Sequence, residues 1–262
     1  MPKKKRSIES RVLSGGLKSV TAFLATIVLI AAILQKNEEI EAKMQQALAQ
    51  NPIEEAQVLE PLEPIEPATK VVLAVQQSAE KIVAQHYDHA HETTGISRED
   101  MRVVVQAAIN SGMPWEVLVA KYLQESSCGR NVGTHRSQDV LRGKNRRSQR
   151  EAFMRICERV GREARDQLVG GSGEMGPFQF LPSTWETEGR DGSGDEIANP
   201  WNLADAAYSA GCYLKKHGYS QSPEEAERCY NGGAHHKNKS SVRKYAKAAL
   251  QNVAKLWHAD RS

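Results

Sequence analysis

Beyond Pro67 the chain is punctuated by helix starts and stops, and no stretch alternates apolar and polar residues for long enough to build a substantial sheet. Over residues 71–89, Val72, Val75, Ala79, Ile82 and Val83 fall on one helical face. Ser97-Arg98-Glu99-Asp100 reads as a cap, because a serine oxygen can accept from the free amides of a first turn, and the helix it opens stops near Gly112. Pro114 stands where a first-turn proline belongs and opens a helix that ends at Glu125-Ser126. Ser183-x-x-Glu186 is spelled as a capping box. Asn202 caps a helix running to Gly218, and Ser222-Pro223-Glu224-Glu225 opens another that ends at Tyr230-Asn231-Gly232. Residues 241–258 close the chain with Val242, Tyr245, Ala249, Val253 and Leu256 in helical register. The expected fold class is all-α, with β structure limited to a minor hairpin. At 262 residues and 40% hydrophobic content, the chain can hold one good-sized core plus appendages.

The first third is organised differently. Lys3, Lys4, Lys5 and Arg6 precede an apolar run over residues 20–34 that holds no charged residue. Extended over residues 17–35 it approaches the roughly 20 residues that a bilayer needs, with Lys18 able to reach the interface. Basic residues before it and Glu38, Glu39 and Glu41 after it place residues 1–16 in the cytoplasm as a basic tail and the rest outside. A cleaved signal peptide is the rival reading, but Gln35-Lys36-Asn37 offers no small-x-small site and Ala47-Leu48-Ala49 lies far downstream. Residues 36–67 read as a stalk, charged at first and then carrying Pro52, Pro61, Pro64 and Pro67 with Glu-Pro repeated three times. Such proline spacing favours an extended, semi-rigid spacer, reaching roughly 50 Å over its proline-rich part, over a recognition motif. Residues 68–262 form the expected helical domain.

Three motifs in that domain could carry chemistry. Glu125-Ser126 ends one helix, residues 173–185 read GEMGPFQFLPSTW, and Tyr230-Asn231-Gly232-Gly233 ends a later helix. Leu118, Tyr122 and Glu125 share a helical face, so the carboxylate continues an apolar stripe. It also sits at the negative end of the helix dipole. Both effects favour the neutral acid and move the expected pKa upward, as a general acid acting near neutral pH requires. The bland reading of Glu125 alone is a surface carboxylate at a helix end. In order and spelling the three motifs resemble the lytic transglycosylases, lysozyme-like enzymes that cleave peptidoglycan glycan strands, over roughly residues 96–257. The resemblance implies a lysozyme-like helical domain and cleavage of the β-1,4 bond from N-acetylmuramic acid to N-acetylglucosamine with a 1,6-anhydro product. It implies Glu125 as the catalytic acid, with Ser126, Met175, Gln179, Phe180, Tyr230 and Asn231 lining the sugar cleft, glycan strands as partner and no cofactor. Leu181 reads as core packing. Two alternatives stay open: a muramidase that uses water, and a catalytically silent peptidoglycan-binding scaffold of an envelope-spanning machine, whose proteins would be further partners.

Glu174 departs from the resemblance, which has a small residue there. It reads as a solvated charge by default, with a buried partner of an arginine or a second carboxylate near the cleft as the sharper readings; the last would bear on hydrolysis against internal transfer. Residues 135–165 hold ten Lys and Arg against four Asp and Glu, a basic insertion. Only Phe153 is interleaved as an aromatic, so nucleic acid is not an expected partner, and a solvated helix face drawn to anionic polymers or lipid head groups is. Asp191, Ser193 and Asp195 have the spacing of a calcium loop's first half, but position six is Glu196 rather than Gly and position twelve is Asn202 rather than Glu, so an ordinary turn is the stronger reading. His235-His236 lacks metal-ligand spacing. Cys128, Cys157, Cys212 and Cys229 all follow the anchor, in what would be an oxidising space. The expected pairs are Cys128–Cys157 and Cys212–Cys229, the second stapling consecutive helices beside Tyr230; four buried thiols are the alternative.

Overall fold

Helix α1 (Glu66–Thr94) takes in the last two residues of the expected stalk, with Pro67 in its first turn, where a missing amide hydrogen costs nothing. The computed structural model describes residues 66–165 and 167–257, apart from the side chains of residues 66–70, 145 and 234–236. The basic tail, the anchor and most of the stalk lie outside the described residues. Among the described residues, no helix is long and apolar enough to cross a membrane.

Two helices follow in the register the sequence predicts. Helix α2 (Arg98–Ser111) is capped by Ser97, whose Oγ accepts from the Asp100 amide at 3.0 Å, and stops at Gly112 with φ 72°. Helix α3 (Trp115–Ser126) starts just after Pro114. Ser127 and Cys128 then both take left-handed conformations, with φ 53° and 55°, and turn the chain sharply away from Glu125-Ser126.

The basic insertion folds as β1 (His135–Arg136), the short α4 (Ser137–Val140), a 3-10 turn (Lys144–Arg146) and α5 (Arg147–Arg159). Strand β1 pairs antiparallel with β2 (Leu168–Val169), with His135 opposite Val169. This two-residue ladder and one Met175–Phe180 bridge are the sheet structure among the described residues, so the fold is helical with a minor hairpin. The insertion is more than a solvated face. Ala152, Phe153, Ile156 and Cys157 of α5 are buried, and α5 packs on α6 (Pro182–Glu188). Its arginines are largely engaged: Arg146 donates to the Ser172 carbonyl, Arg150 to the Leu141 carbonyl, and Arg155 pairs with Glu186.

The capping box expected at Ser183 and Glu186 is not formed. Ser183 lies inside α6, its amide donates to Gln149 Oε1 at 3.0 Å, and Gln149 Nε2 donates to Ser183 Oγ at 2.7 Å. The helix starts at Pro182 with Leu181 at its N-cap, so Ser183 is not in the capping position. Gln149 caps its amide from another helix, and Glu186 pairs with Arg155 instead.

Helix α7 (Leu203–Lys216) is capped by Asn202 as expected, its Oδ1 accepting from Ala204 N at 2.8 Å. Helix α8 (Pro223–His236) breaks at Gly233, where φ 61° and ψ 175° are not helical, close to the predicted end. Helix α9 (Ser240–Trp257) closes the chain. The core lies where α2 packs on α7 and α3 on α9, with Val104, Ala108, Leu118, Ala207, Ala210 and Leu214 fully buried.

All four thiols are free, which corrects the expected Cys128–Cys157 and Cys212–Cys229 disulfides. Tyr213 faces α8 and donates to the Cys229 carbonyl at 3.2 Å, so Cys212, turned about 100° around α7, faces Tyr208 and Arg190 instead. Cys128 sits near Thr94 and Arg130, whereas Cys157 sits near Arg162 and Glu163. Burial raises the pKa of each thiol, that of Cys157 to about 11.

Candidate active site

The last turn of α3, the loop before α6, the end of α8 and the start of α9 enclose a cleft of about 520 Å³. Glu125, Glu174, Gln179, Phe180, Tyr230 and Asn231 all line it. Two expected cleft residues are elsewhere. Met175 is completely buried beneath the loop, paired through its backbone to Phe180. Ser126 is buried too; its hydroxyl donates to the Tyr122 carbonyl and accepts from Gly129 N, so it holds the turn after α3. Leu181, expected in the core, is partly exposed and lines the cleft.

The loop's shape depends on close backbone approach. Gly176 has φ 67°, and a Cβ there would meet the Pro200 carbonyl oxygen at 1.8 Å. Gln179 has φ 51°, an uncommon conformation for a residue with a side chain. Its amide nitrogen donates to the carbonyls of Val132 (3.1 Å) and Gly176 (2.7 Å), which leaves Oε1 as the atom able to take a hydrogen bond from a ligand. Phe180 is clamped edge-on between Trp185 and Tyr230.

Glu125 is partly buried, and its pKa is raised from 4.5 to about 7. Desolvation is the main cause; the Lys121 ammonium and a hydrogen bond from Tyr245 oppose it, and the Glu227 and Glu174 carboxylates add to it. The phenol beside the acid is therefore Tyr245, whose hydroxyl donates to Glu125 Oε1. Tyr230 is also close enough to feel the Glu125 charge, but its hydroxyl donates to the Phe178 carbonyl at 2.9 Å. Beneath these groups Lys121 and Glu227 form an ion pair, their side chains 0% and 1% exposed. Lys121, Glu227 and the hydroxyl of Tyr245 escaped the sequence reading. Tyr245 read as one more apolar-face residue, whereas a lysine four residues before Glu125 on the same stripe was the available signal.

Glu174 is the second carboxylate of the cleft. Its Oε2 accepts from the Ser172 amide at 2.7 Å, and a Cβ on Gly170 would come within 2.4 Å of that oxygen. Glycine at 170 is what leaves room for it.

Away from the cleft, the carboxylate oxygens of Asp191, Asp195 and Asp205 lie within 4.8 Å of one another. Asp191 accepts from the amides of Ser193, Gly194 and Glu196, and the buried Asp205 from those of Gly192, Ser193 and Asn199. These amide contacts are those of the ordinary turn the sequence favoured, and position twelve remains Asn202. Glu196 has φ 69°, the conformation glycine would supply, and Asp205 brings a carboxylate three residues past Asn202. These residues, with the Ser193 hydroxyl, could hold a hard divalent cation.

The sequence profile of the transglycosylase SLT domain matches residues 35–259. The chain belongs to the transglycosylase SLT-domain family. Among curated proteins it is similar to membrane-bound lytic murein transglycosylase B of Escherichia coli (strain K12), with 33% identity over 124 residues, covering 44% of this chain and 34% of the relative. The chain thus spans about a third of that relative's length. Among solved structures it is similar in fold to the Escherichia coli lytic transglycosylase SLT35 in complex with bulgecin A, at TM-score 0.55 and 18% identity over 71% of this chain and 79% of that one. The same enzyme in complex with calcium gives TM-score 0.54 at 18% identity, covering 71% and 80%. The SLT-domain helical fold is the framework on which the Glu125 cleft stands.

Proposed function

We propose that the chain is a peptidoglycan lytic transglycosylase with Glu125 as its single acid and base. The observation that carries this reading is a partly buried carboxyl with a pKa of about 7 in the wall of a cleft. Such a group is protonated often enough to give a proton and basic enough to take one back at neutral pH. The neutral acid protonates the oxygen linking N-acetylmuramic acid to N-acetylglucosamine, and the C1–O bond breaks. The carboxylate left behind removes the proton from the muramyl C6 hydroxyl, whose oxygen closes on C1 to form the 1,6-anhydro ring. Gln179 Oε1 and Asn231 hold the sugars, and Phe180 and Tyr230 supply the apolar wall. Mass analysis of products from purified glycan strands tests this. Anhydro-muramyl ends are expected, and products that all carry a reducing end would refute transfer.

Glu174 favours one second reading, a muramidase in which that carboxylate activates water. Intact strands after prolonged incubation would instead favour the silent scaffold. The relative described as membrane-bound supports an envelope location, and the anchor over residues 17–35 would hold the cleft outside the cytoplasm. Protease added to intact cells should then remove the domain and leave residues 1–16 protected.

Calcium in one related structure gives the Asp191, Asp195 and Asp205 cluster a candidate ion, which would tie the loop before α7 to that helix. Added calcium is expected to raise the melting temperature of the protein and not that of Asp195→Asn; equal melting in both would remove the site.

A further inference from the structure

The interior below Glu125 holds a charged group that a helical core does not require. Lys121 is one turn before Glu125 on α3, fully buried, and paired with the equally buried Glu227 of α8. Its Nζ also donates to Tyr245 Oη at 3.0 Å and stands 4.3 Å from the centre of the Tyr230 ring. Burying such a pair is costly, and well-packed apolar residues of similar volume are often as stable or more so. Packing therefore gives no reason for charges at these two positions.

Hydrogen-bond polarity supplies one. An ammonium has donors only, so Tyr245 Oη must accept from Lys121. A phenol has one proton, and it is directed to Glu125 Oε1. That oxygen is then an acceptor in both protonation states of Glu125. We propose that Lys121 and Glu227 are positioning residues that commit the Tyr245 proton to Glu125 Oε1, leaving Oε2 as the oxygen that carries the acidic proton. The Tyr245 backbone is itself pinned to α3, since Gln124 Nε2 donates to its carbonyl at 3.2 Å. Glu227 matches the Lys121 charge, so the relay is held without an isolated buried cation.

The groups facing Glu125 are Lys121 on α3, Glu227 and Tyr230 on α8, Tyr245 on α9 and Glu174 in the loop. Lys121 and Tyr245 act to lower the pKa of Glu125, while Glu227 raises it by less than Lys121 lowers it. Breaking the relay should therefore raise it.

The inference rests on Glu125 being the acid of the proposed reaction, and its test is separable from that reaction. Carboxyl-carbon NMR titration of full-length protein labelled at glutamate, with Glu125→Gln to assign the signal, reads the proton state directly. The variants are Tyr245→Phe and the double variant Lys121→Met with Glu227→Leu, the latter chosen because it leaves no unpaired buried charge and should fold. Both should titrate higher than wild type, by about one unit. In glycan cleavage the alkaline limb of the pH profile should move up by the same amount, with kcat reduced about tenfold or more and KM little changed. An unchanged Glu125 titration in a folded double variant overturns the relay, whatever the activity. Raised titration in a protein that cleaves nothing keeps the relay and overturns the proposed activity instead.

Discussion

At Glu125 burial pushes toward the neutral acid while Lys121 and Tyr245 pull toward the carboxylate, and burial wins. The folded-state pKa of about 7 lies above the ordinary 4.5, so the folded protein binds this proton more tightly than the unfolded chain. The associated stability is present in full below about pH 4.5 and is lost as pH rises through 7, a loss of up to ~3 kcal/mol. Glu125→Gln, which keeps shape and the acceptor for Tyr245, should cut cleavage by at least ~10²–10⁴-fold. The same variant should melt at a higher temperature than wild type above pH 7, with the gap closing below pH 4.5; calorimetry across that range checks the sign. Glu174 stands on the other side of the question. Glu174→Ala should leave anhydro-muramyl products unchanged, read by mass analysis, because transfer needs one carboxylate. Loss of all turnover in that variant would assign Glu174 the base.

Among the elements, α6 carries the end of the GEMGPFQFLPSTW segment, and it is short enough to depend on its neighbours. Gln149 of α5 caps it from outside through both the Ser183 amide and hydroxyl. Gln149→Ala should destabilise the domain by about 1–3 kcal/mol in denaturant unfolding, since it leaves a partly buried amide unpaired. Arg155→Ala, which removes an exposed ion pair to Glu186, should cost under ~1 kcal/mol. The contrast between the two identifies the cap, rather than the charge, as the join between the basic insertion and the cleft loop.

For the whole molecule, four free thiols spread over α5, α7, α8 and the end of α3 mean that no covalent staple closes the domain. Native protein should react slowly with a thiol reagent and release four equivalents once denatured, with no mass loss from disulfides before reduction. The slow phase follows from burial, which raises each thiol's pKa and depletes the reactive thiolate. Stability then rests on the packing of α2 against α7 and of α3 against α9. The contact of α3 with α9 also brings Tyr245 to Glu125, so the core and the cleft share a seam.

Helix content, most caps and Glu125 were legible from the residues themselves, whereas Gln179, Phe180, Tyr230 and Asn231, which line the same cleft, were placed there only through the family resemblance. Caps, breaks and apolar stripes are local: Ser97, Gly112, Asn202 and Gly233 act within four residues of themselves. The upward direction of the Glu125 pKa was legible for the same reason, through its place on an apolar stripe, since desolvation is its main cause. Pairings between distant elements were not. Nothing local distinguishes Tyr245 as the partner of Glu125, 120 residues away, or ties Lys121 to Glu227. Ser183-x-x-Glu186 is spelled as a cap, yet the helix starts at Pro182, and Gln149 and Arg155 from α5 pair with its two ends. Met175 and Ser126 shared their motifs with cleft residues but turned inward, and four cysteines in order along the chain face four different neighbourhoods. The direction in which a side chain points is set by the packing of whole helices, and that exists only once the chain has folded.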